Sequence, residues 1–195
     1  MYRWLTLGIL LAALGTSGYF RRRARNEGGT IARREEDASL VVLRVVVALP
    51  LLGAIMTYIV NPRWMAWSAF DAPEWLRLVG VVLGILAIPS VYWVLSSLGK
   101  NVSETVLTKP DHELVTAGPY RWIRHPLYTT GLTLLIGVGL MAANVVLLLF
   151  AGVAAIMIRW VVIPREESAL QDRFGDGYRS YMRRTGRLLP RVGSA

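Results

Sequence analysis

The chain has 195 residues, 54% of them hydrophobic and 18% charged, with a mean hydropathy of +0.43 and a formal net charge of +9. That balance excludes an ordinary soluble domain and points to an integral membrane protein, while the absence of cysteine excludes a disulfide framework, a thiolate metal site and a cysteine nucleophile. The arginines flank apolar runs instead of forming a basic domain, so membrane lipids are the expected partner and nucleic acid is not.

Residues 3–20 are apolar apart from Arg3 and are followed at once by Arg21, Arg22, Arg23 and Arg25. A secretory signal carries its charge before the apolar run, so this order predicts a first spanning helix. A charged connector with Arg33, Arg34, Glu35, Glu36 and Asp37 leads to a second span at 40–60, with Arg44 shallow enough to snorkel. Trp64, Trp67, Phe70 and Trp75 follow as anchors at the membrane–water boundary. A third span is expected at 76–98, where Gly80 and Gly84 form a small-xxx-small face and Pro89 predicts a kink. The polar stretch 99–126 is long for a small membrane protein, and long ordered loops tend to be functional.

Pro126 to Ile158 holds no charge, and Asn144 is its strongly polar break, which predicts a helical hairpin at 127–143 and 145–163. Pro164, suited to a first helical turn, opens a soluble tail with Glu166 and Glu167 at the positive end of the helix dipole. Gly175 and Gly177 are expected to break that tail into two short helices. The fold class is therefore all-α membrane protein, with five transmembrane helices and a carboxyl-terminal helical segment at 164–195. Lysine and arginine concentrate in the connectors at 21–34, 100–124 and 165–191, which places the amino terminus outside and the polar loop and tail in the cytosol.

That topology gathers Gly118 to Tyr128, in which Arg121, Arg124 and His125 stand at the mouth of an apolar run, beside the Glu166-Glu167 pair. His112 and His125 lie without further histidine or cysteine, so no metal site is expected. No serine nucleophile with a base, no phosphate cradle and no dinucleotide fingerprint stands out. The set suits a zwitterionic, partly aromatic cofactor beside a lipophilic substrate, a profile that S-adenosylmethionine has. Methyl transfer needs mainly in-line positioning, so few catalytic groups suffice.

The run Leu98-Gly99-Lys100-Asn101, His112-Glu113-Leu114-Val115, Gly118-Pro119-Tyr120, Arg124-His125-Pro126-Leu127-Tyr128, then Glu166-Glu167, Phe174-Gly175, Tyr178 and Tyr181 resembles the isoprenylcysteine carboxyl methyltransferase family. The bacterial and archaeal relatives of that family include phospholipid methyltransferases. The resemblance covers roughly the second half of the chain. It implies a membrane methyltransferase of the prokaryotic cell membrane that uses S-adenosylmethionine, releases S-adenosylhomocysteine, and takes a lipophilic acceptor sideways from the bilayer. It further implies that His112, Leu114, Val115, Gly118, Tyr120, His125, Pro126, Tyr128 and Glu167 line the cofactor. Arg124 and either Arg183 or Arg184 would then stand near the methyl acceptor, with the tail closing the site. Arg121 and Trp122 read as interface residues, and Tyr178 and Tyr181 as packing. The chain is shorter than the eukaryotic enzymes, so a small lipophilic acid, a thiol or a lipid amine is as good an acceptor as a prenylcysteine. Two rivals stand beside this reading: a sterol-reductase-like enzyme using NADPH, and a non-enzymatic transporter or assembly protein.

Overall fold

The computed structural model describes residues 1–28, 38–102 and 113–191. The charged connector with Arg33 to Asp37, and Ser103 to His112 of the polar loop, lie outside the described residues.

Among the described residues six α-helices follow in order: α1 (Tyr2–Gly28), α2 (Ala38–Val60), α3 (Glu74–Leu98), α4 (Pro126–Ala142), α5 (Val145–Met157) and α6 (Ile163–Arg184). Among the described residues the extended pairings are two isolated bridges, Ala69 with Asn144 and Ile123 with Gly186. Three helices among the described residues are long and apolar enough to cross a membrane, at Val41–Val60, Glu74–Leu98 and Val145–Arg184, and Pro126–Ala142 is a shorter apolar helix. Helix α1 fills the place of the first expected span but is not among those three, because Thr6, Gly8, Gly15, Thr16, Ser17 and Gly18 dilute its apolar residues. It also runs past Phe20, so Arg21, Arg22, Arg23 and Arg25 are helical.

Two features correct the expected layout. Pro164 lies in the first turn of α6 as expected, but α6 does not start afresh there: α5 and α6 form one 40-residue helical stretch joined through a π-helical turn at Ile158–Val162. A proline ring collides with the carbonyl four residues back, and a widened turn removes that collision. Here the Ile163 N–H bonds the carbonyl of Ile158, five residues back, immediately before the proline. Up to the break at Gly175 the helix runs unbroken from Val145 to Phe174, and about 30 residues at ~1.5 Å each reach about 45 Å, half as long again as a ~30 Å hydrocarbon core. The apolar half ends near Ile163, and from Arg165 onward the helix is rich in charge. The second correction concerns the break in the tail, which falls at Gly175 alone (φ 51°), while Gly177 stays helical.

Helix α3 is the centre of the bundle, and its small residues let α4 approach closely. A Cβ on Gly80 would lie 2.6 Å from the Met141 nitrogen and 2.7 Å from the Gly137 oxygen, both main-chain atoms that cannot swing aside. Gly84 faces Ile9 of α1. Gly80→Leu is therefore expected to force the helices apart and cost at least about 1–3 kcal/mol. Thermal unfolding in detergent checks this against Gly53→Ala, where an added carbon meets nothing within 4 Å.

At one end of the bundle, the end of α2, the 3-10 turn Pro62–Ser68 and the α4–α5 hairpin close over a core of Ile9, Ile55, Tyr58, Ile59, Met65, Val138, Met141 and Leu147. Asn144, 2% exposed, holds this end together. Its side-chain oxygen accepts the Leu147 N–H at 3.2 Å as the cap of α5, and its amide donates to Ser68 Oγ at 2.7 Å and the Met65 carbonyl at 3.3 Å. Asn144→Ala removes the cap and strands buried acceptors, and a loss of about 2 kcal/mol is expected in the same unfolding measurement. Trp64, Trp67 and Trp75 stand exposed around this end, as interface anchors would.

At the other end Phe20 and Ala24 of α1 pack on Val91 and Leu95 of α3 and on Val102, with Leu98 and Leu127 against them. This end carries the polar residues singled out by sequence.

Candidate active site

The chain leaves α3 through Gly99 (φ 53°), and a 3-10 turn at Gly99–Asn101 carries it to the loop. Asn101, 6% exposed, accepts the Glu113 N–H at 3.1 Å, so both ends of the intervening loop are pinned together. Leu114 and Val115 are half-buried just before the 3-10 turn Gly118–Arg121. Gly118 has a steric cause: at φ 58° it lies so close to α3 that a Cβ would strike Ser97 Oγ. Trp122 packs edge-on to Trp93 of α3, and the Arg121 guanidinium lies over the Trp122 ring. Pro126 starts α4 at the first helical position, where its missing N–H costs nothing.

The segment 122–125 then meets the segment that follows α6. Gly186 donates its N–H to the Trp122 carbonyl at 3.1 Å, Arg124 N–H donates to the Gly186 carbonyl at 2.8 Å, and His125 N–H donates to the Arg187 carbonyl at 3.0 Å. Thr129 Oγ1 adds a bond to the Leu188 carbonyl at 2.7 Å. The Tyr181 hydroxyl, from α6, donates to the Tyr120 carbonyl at 2.6 Å.

Under this pairing lies a buried charged cluster. Arg124, its side chain 7% exposed, donates from Nε to Glu167 Oε1 at 2.8 Å and from Nη1 to the carbonyls of Met182 (3.1 Å) and Thr185. His125 Nε2 lies 3.4 Å from the same Glu167 oxygen, and Arg187 Nη2 is 2.9 Å from Oε2. Glu167, its side chain 3% exposed, thus faces two guanidinium groups and an imidazole. Burial alone would push its carboxyl up, but hydrogen bonds from His125 and Arg124 and their charges outweigh it and hold it at about 2. Glu166 stands beside it, accepting the Tyr128 hydroxyl at 2.9 Å with His125 Nδ1 at 3.6 Å, and the Tyr128 ring stacks on His125.

The structure therefore brings together Tyr120, Arg124, His125, Tyr128 and Glu167 of the residues selected by sequence. Arg183 and Arg184 lie exposed on the last turn of α6, and the guanidinium that reaches Glu167 from the segment after α6 is that of Arg187. His112 lies outside the described residues. Sequence reasoning missed Arg187, Thr185 and the role of Tyr178. Gly186, a helix stop followed by a basic residue, was the available signal for the first two. Tyr178 is 1% exposed, and its hydroxyl is the one buried side-chain polar atom among the described residues without a hydrogen-bond partner. Burial, then the neighbouring Glu167 charge, raise its pKa, so it keeps its proton as an unused donor. Among the described residues no group of three or more histidine, cysteine, aspartate or glutamate side chains could hold a metal ion.

Residues 79–172 match the model of the isoprenylcysteine carboxyl methyltransferase family. YpbQ of Bacillus subtilis is 25% identical over 87% of this chain and 96% of its own length. Human protein-S-isoprenylcysteine O-methyltransferase is 27% identical over 64% of this chain, which spans 44% of the human protein. The solved structure of a eukaryotic intramembrane Ras methyltransferase superposes with a TM-score of 0.54 at 22% identity, covering 84% of this chain and 55% of that one, and shows the shared fold. The matched stretch, just under half of the chain, runs from α3 across Arg124 and His125 to Glu167 on α6, and over it this integral membrane protein is similar to the isoprenylcysteine carboxyl methyltransferase family.

Proposed function

We propose that the protein is a methyltransferase that uses S-adenosylmethionine to methylate a lipophilic acceptor at the membrane face. The observation that carries this reading is the cluster of Arg124, His125, Glu167 and Arg187, assembled from three separate stretches where apolar helices end. Buried charge at a membrane face is costly, and a site that positions a charged ligand repays it.

The residues present fit the cofactor. The Tyr178 hydroxyl is a buried donor without a partner beside Arg124 and Glu167, Glu166 is a carboxylate suited to an amine or ribose hydroxyl, and Arg187 is part-exposed and suited to a carboxylate. Leu114, Val115, Gly118, Tyr120, His125, Pro126 and Tyr128 would line the remainder. When bound, S-adenosylmethionine supplies an electrophilic methyl group. The chain's part is to hold and orient: Glu167 fixes both guanidinium groups and His125, Arg124 ties the segment after α6 to the start of α4, and that segment keeps water out. Arg124 and Arg187 pair with Glu167 while Arg183 and Arg184 lie exposed, which makes Arg124 and Arg187 the cations to expect beside the acceptor.

The topology we propose has five spans, with the amino terminus outside and 99–126 and 164–195 on the cytosolic face. The distribution of arginine supports it, as does the arrangement of α1, α3 and α4, which puts the arginine-rich end of α1 beside the cluster end of α3. The acceptor class is tested by incubating purified protein with methyl-labelled S-adenosylmethionine and a membrane lipid extract. Label is expected in an organic-soluble product; label recovered only as free methanol or unchanged cofactor contradicts a lipophilic acceptor.

A further inference from the structure

At the end of the bundle away from the Arg124 cluster, a cavity of about 860 Å³ opens between the start of α1, the end of α2, the 3-10 turn, the start of α3 and the end of α4. Arg3, Arg63 and Arg77 all line it, together with Tyr58, Asn61 and Trp64, and no carboxylate is among the lining residues. Glu74 stands nearby, where it accepts the Tyr2 hydroxyl.

Two of these arginines have partial structural employment. Arg3 donates to the Val60 carbonyl at 3.1 Å and Arg77 to the Met141 carbonyl at 3.4 Å, so each satisfies a last-turn carbonyl of a neighbouring helix. A guanidinium carries five N–H donors, and one carbonyl engages a single one of them. Arg63 has its described hydrogen bond through the backbone N–H, to Asn61, which leaves its guanidinium to the cavity. Three cations sharing one hollow repel one another, and an anion relieves that repulsion.

The apolar surface beside the cavity indicates what the anion is attached to. Leu49, Leu52, Met56 and Val60 are each about half exposed or more and recur at helical spacing along α2. The stripe ends in the cavity at Val60, with Trp64 exposed at its mouth. A charged hollow at the head of an apolar track, within the aromatic belt, matches an amphiphile.

We propose that this cavity is a binding site for the phosphate-bearing headgroup of an anionic membrane lipid, whose chains lie along the outer face of α2. The proposal does not depend on the methyltransferase reading. Native mass spectrometry from a neutral detergent tests it with phosphatidylglycerol, phosphatidylcholine and inorganic phosphate as probes. Phosphatidylglycerol is expected to bind about tenfold or more tightly than phosphatidylcholine, whose choline cation offsets the phosphate charge and is repelled by the three arginines. Millimolar inorganic phosphate is expected not to displace it. Arg63→Gln, at a side chain that braces no helix, should lower phosphatidylglycerol retention about tenfold without moving the thermal midpoint. Equal retention of the two lipids, or unchanged retention in Arg63→Gln, overturns the proposal. Displacement by inorganic phosphate overturns it in favour of a site for a free anion.

Discussion

Arg124→Gln is expected to release the segment after α6 and to abolish cofactor binding. One side chain joins three elements here: it pairs with Glu167 on α6 and donates to the carbonyls of Met182 and Thr185, while its own backbone bonds Gly186. Removing one partner of a buried ion pair leaves the other charge uncompensated, and such changes cost about 3–5 kcal/mol. Glutamine cannot replace it, because it offers two N–H donors on one nitrogen where the guanidinium spreads five over three. Lysine at this position should fail as well, since a single ammonium cannot reach the carboxylate and both carbonyls with the same planar geometry. Hydrogen exchange at Gly186, whose N–H bonds the Trp122 carbonyl, reports the release directly. Wild-type protection at Gly186 in Arg124→Gln, with an unchanged melting midpoint, would remove Arg124 from its central place in the site.

Glu167 provides the second large effect. Its two oxygens take Arg124, His125 and Arg187, so Glu167→Ala leaves two guanidinium groups and an imidazole crowded around an apolar gap. A loss of about 3–5 kcal/mol is expected, with cofactor affinity falling along with it. Glu167→Gln keeps the shape and loses the charge, so it separates the two contributions: binding should drop strongly while the fold survives at reduced stability. The pH dependence follows in sign. The folded carboxyl is held at about 2 against an ordinary value of 4.5, so its contribution is complete above about 4.5 and is lost as pH falls toward 2. Melting midpoints measured from pH 6 to pH 2 should fall more steeply in the wild type than in Glu167→Gln. Parallel curves would show that Glu167 is not the group that the cations stabilise.

Much of the site was legible because its chemistry is local. Arg124-His125-Pro126 announces a charged turn entering an apolar helix, and Glu166-Glu167 supplies the acidic partner, so the pairing needed only that both lie at the same membrane face. The small face of α3 was equally open to reading, since Gly80 and Gly84 have no other use in an apolar helix. What sequence could not give was the path between elements. Pro164 carries the usual sign of a helix start, and only the π turn before it, a feature of main-chain geometry, turns it into a helix interior. That continuity carries Glu167 on an extension of α5, and beyond the break at Gly175 α6 runs on to Arg184. The choice of Arg187 over Arg183 or Arg184 follows from it, because the chain must turn back at Thr185 and Gly186 before a guanidinium can face Glu167. Tyr178 looked like one more member of an aromatic stripe, and only three-dimensional packing shows its hydroxyl buried without a partner.

The most direct test is isothermal titration of S-adenosylhomocysteine into detergent-purified protein, beside Arg124→Gln and with NADPH as the competing ligand. Saturable binding of S-adenosylhomocysteine to the wild type, its loss in Arg124→Gln and no response to NADPH are the expected results. Binding of NADPH, with none of S-adenosylhomocysteine or S-adenosylmethionine, would contradict the assignment of this buried cluster to methyl transfer.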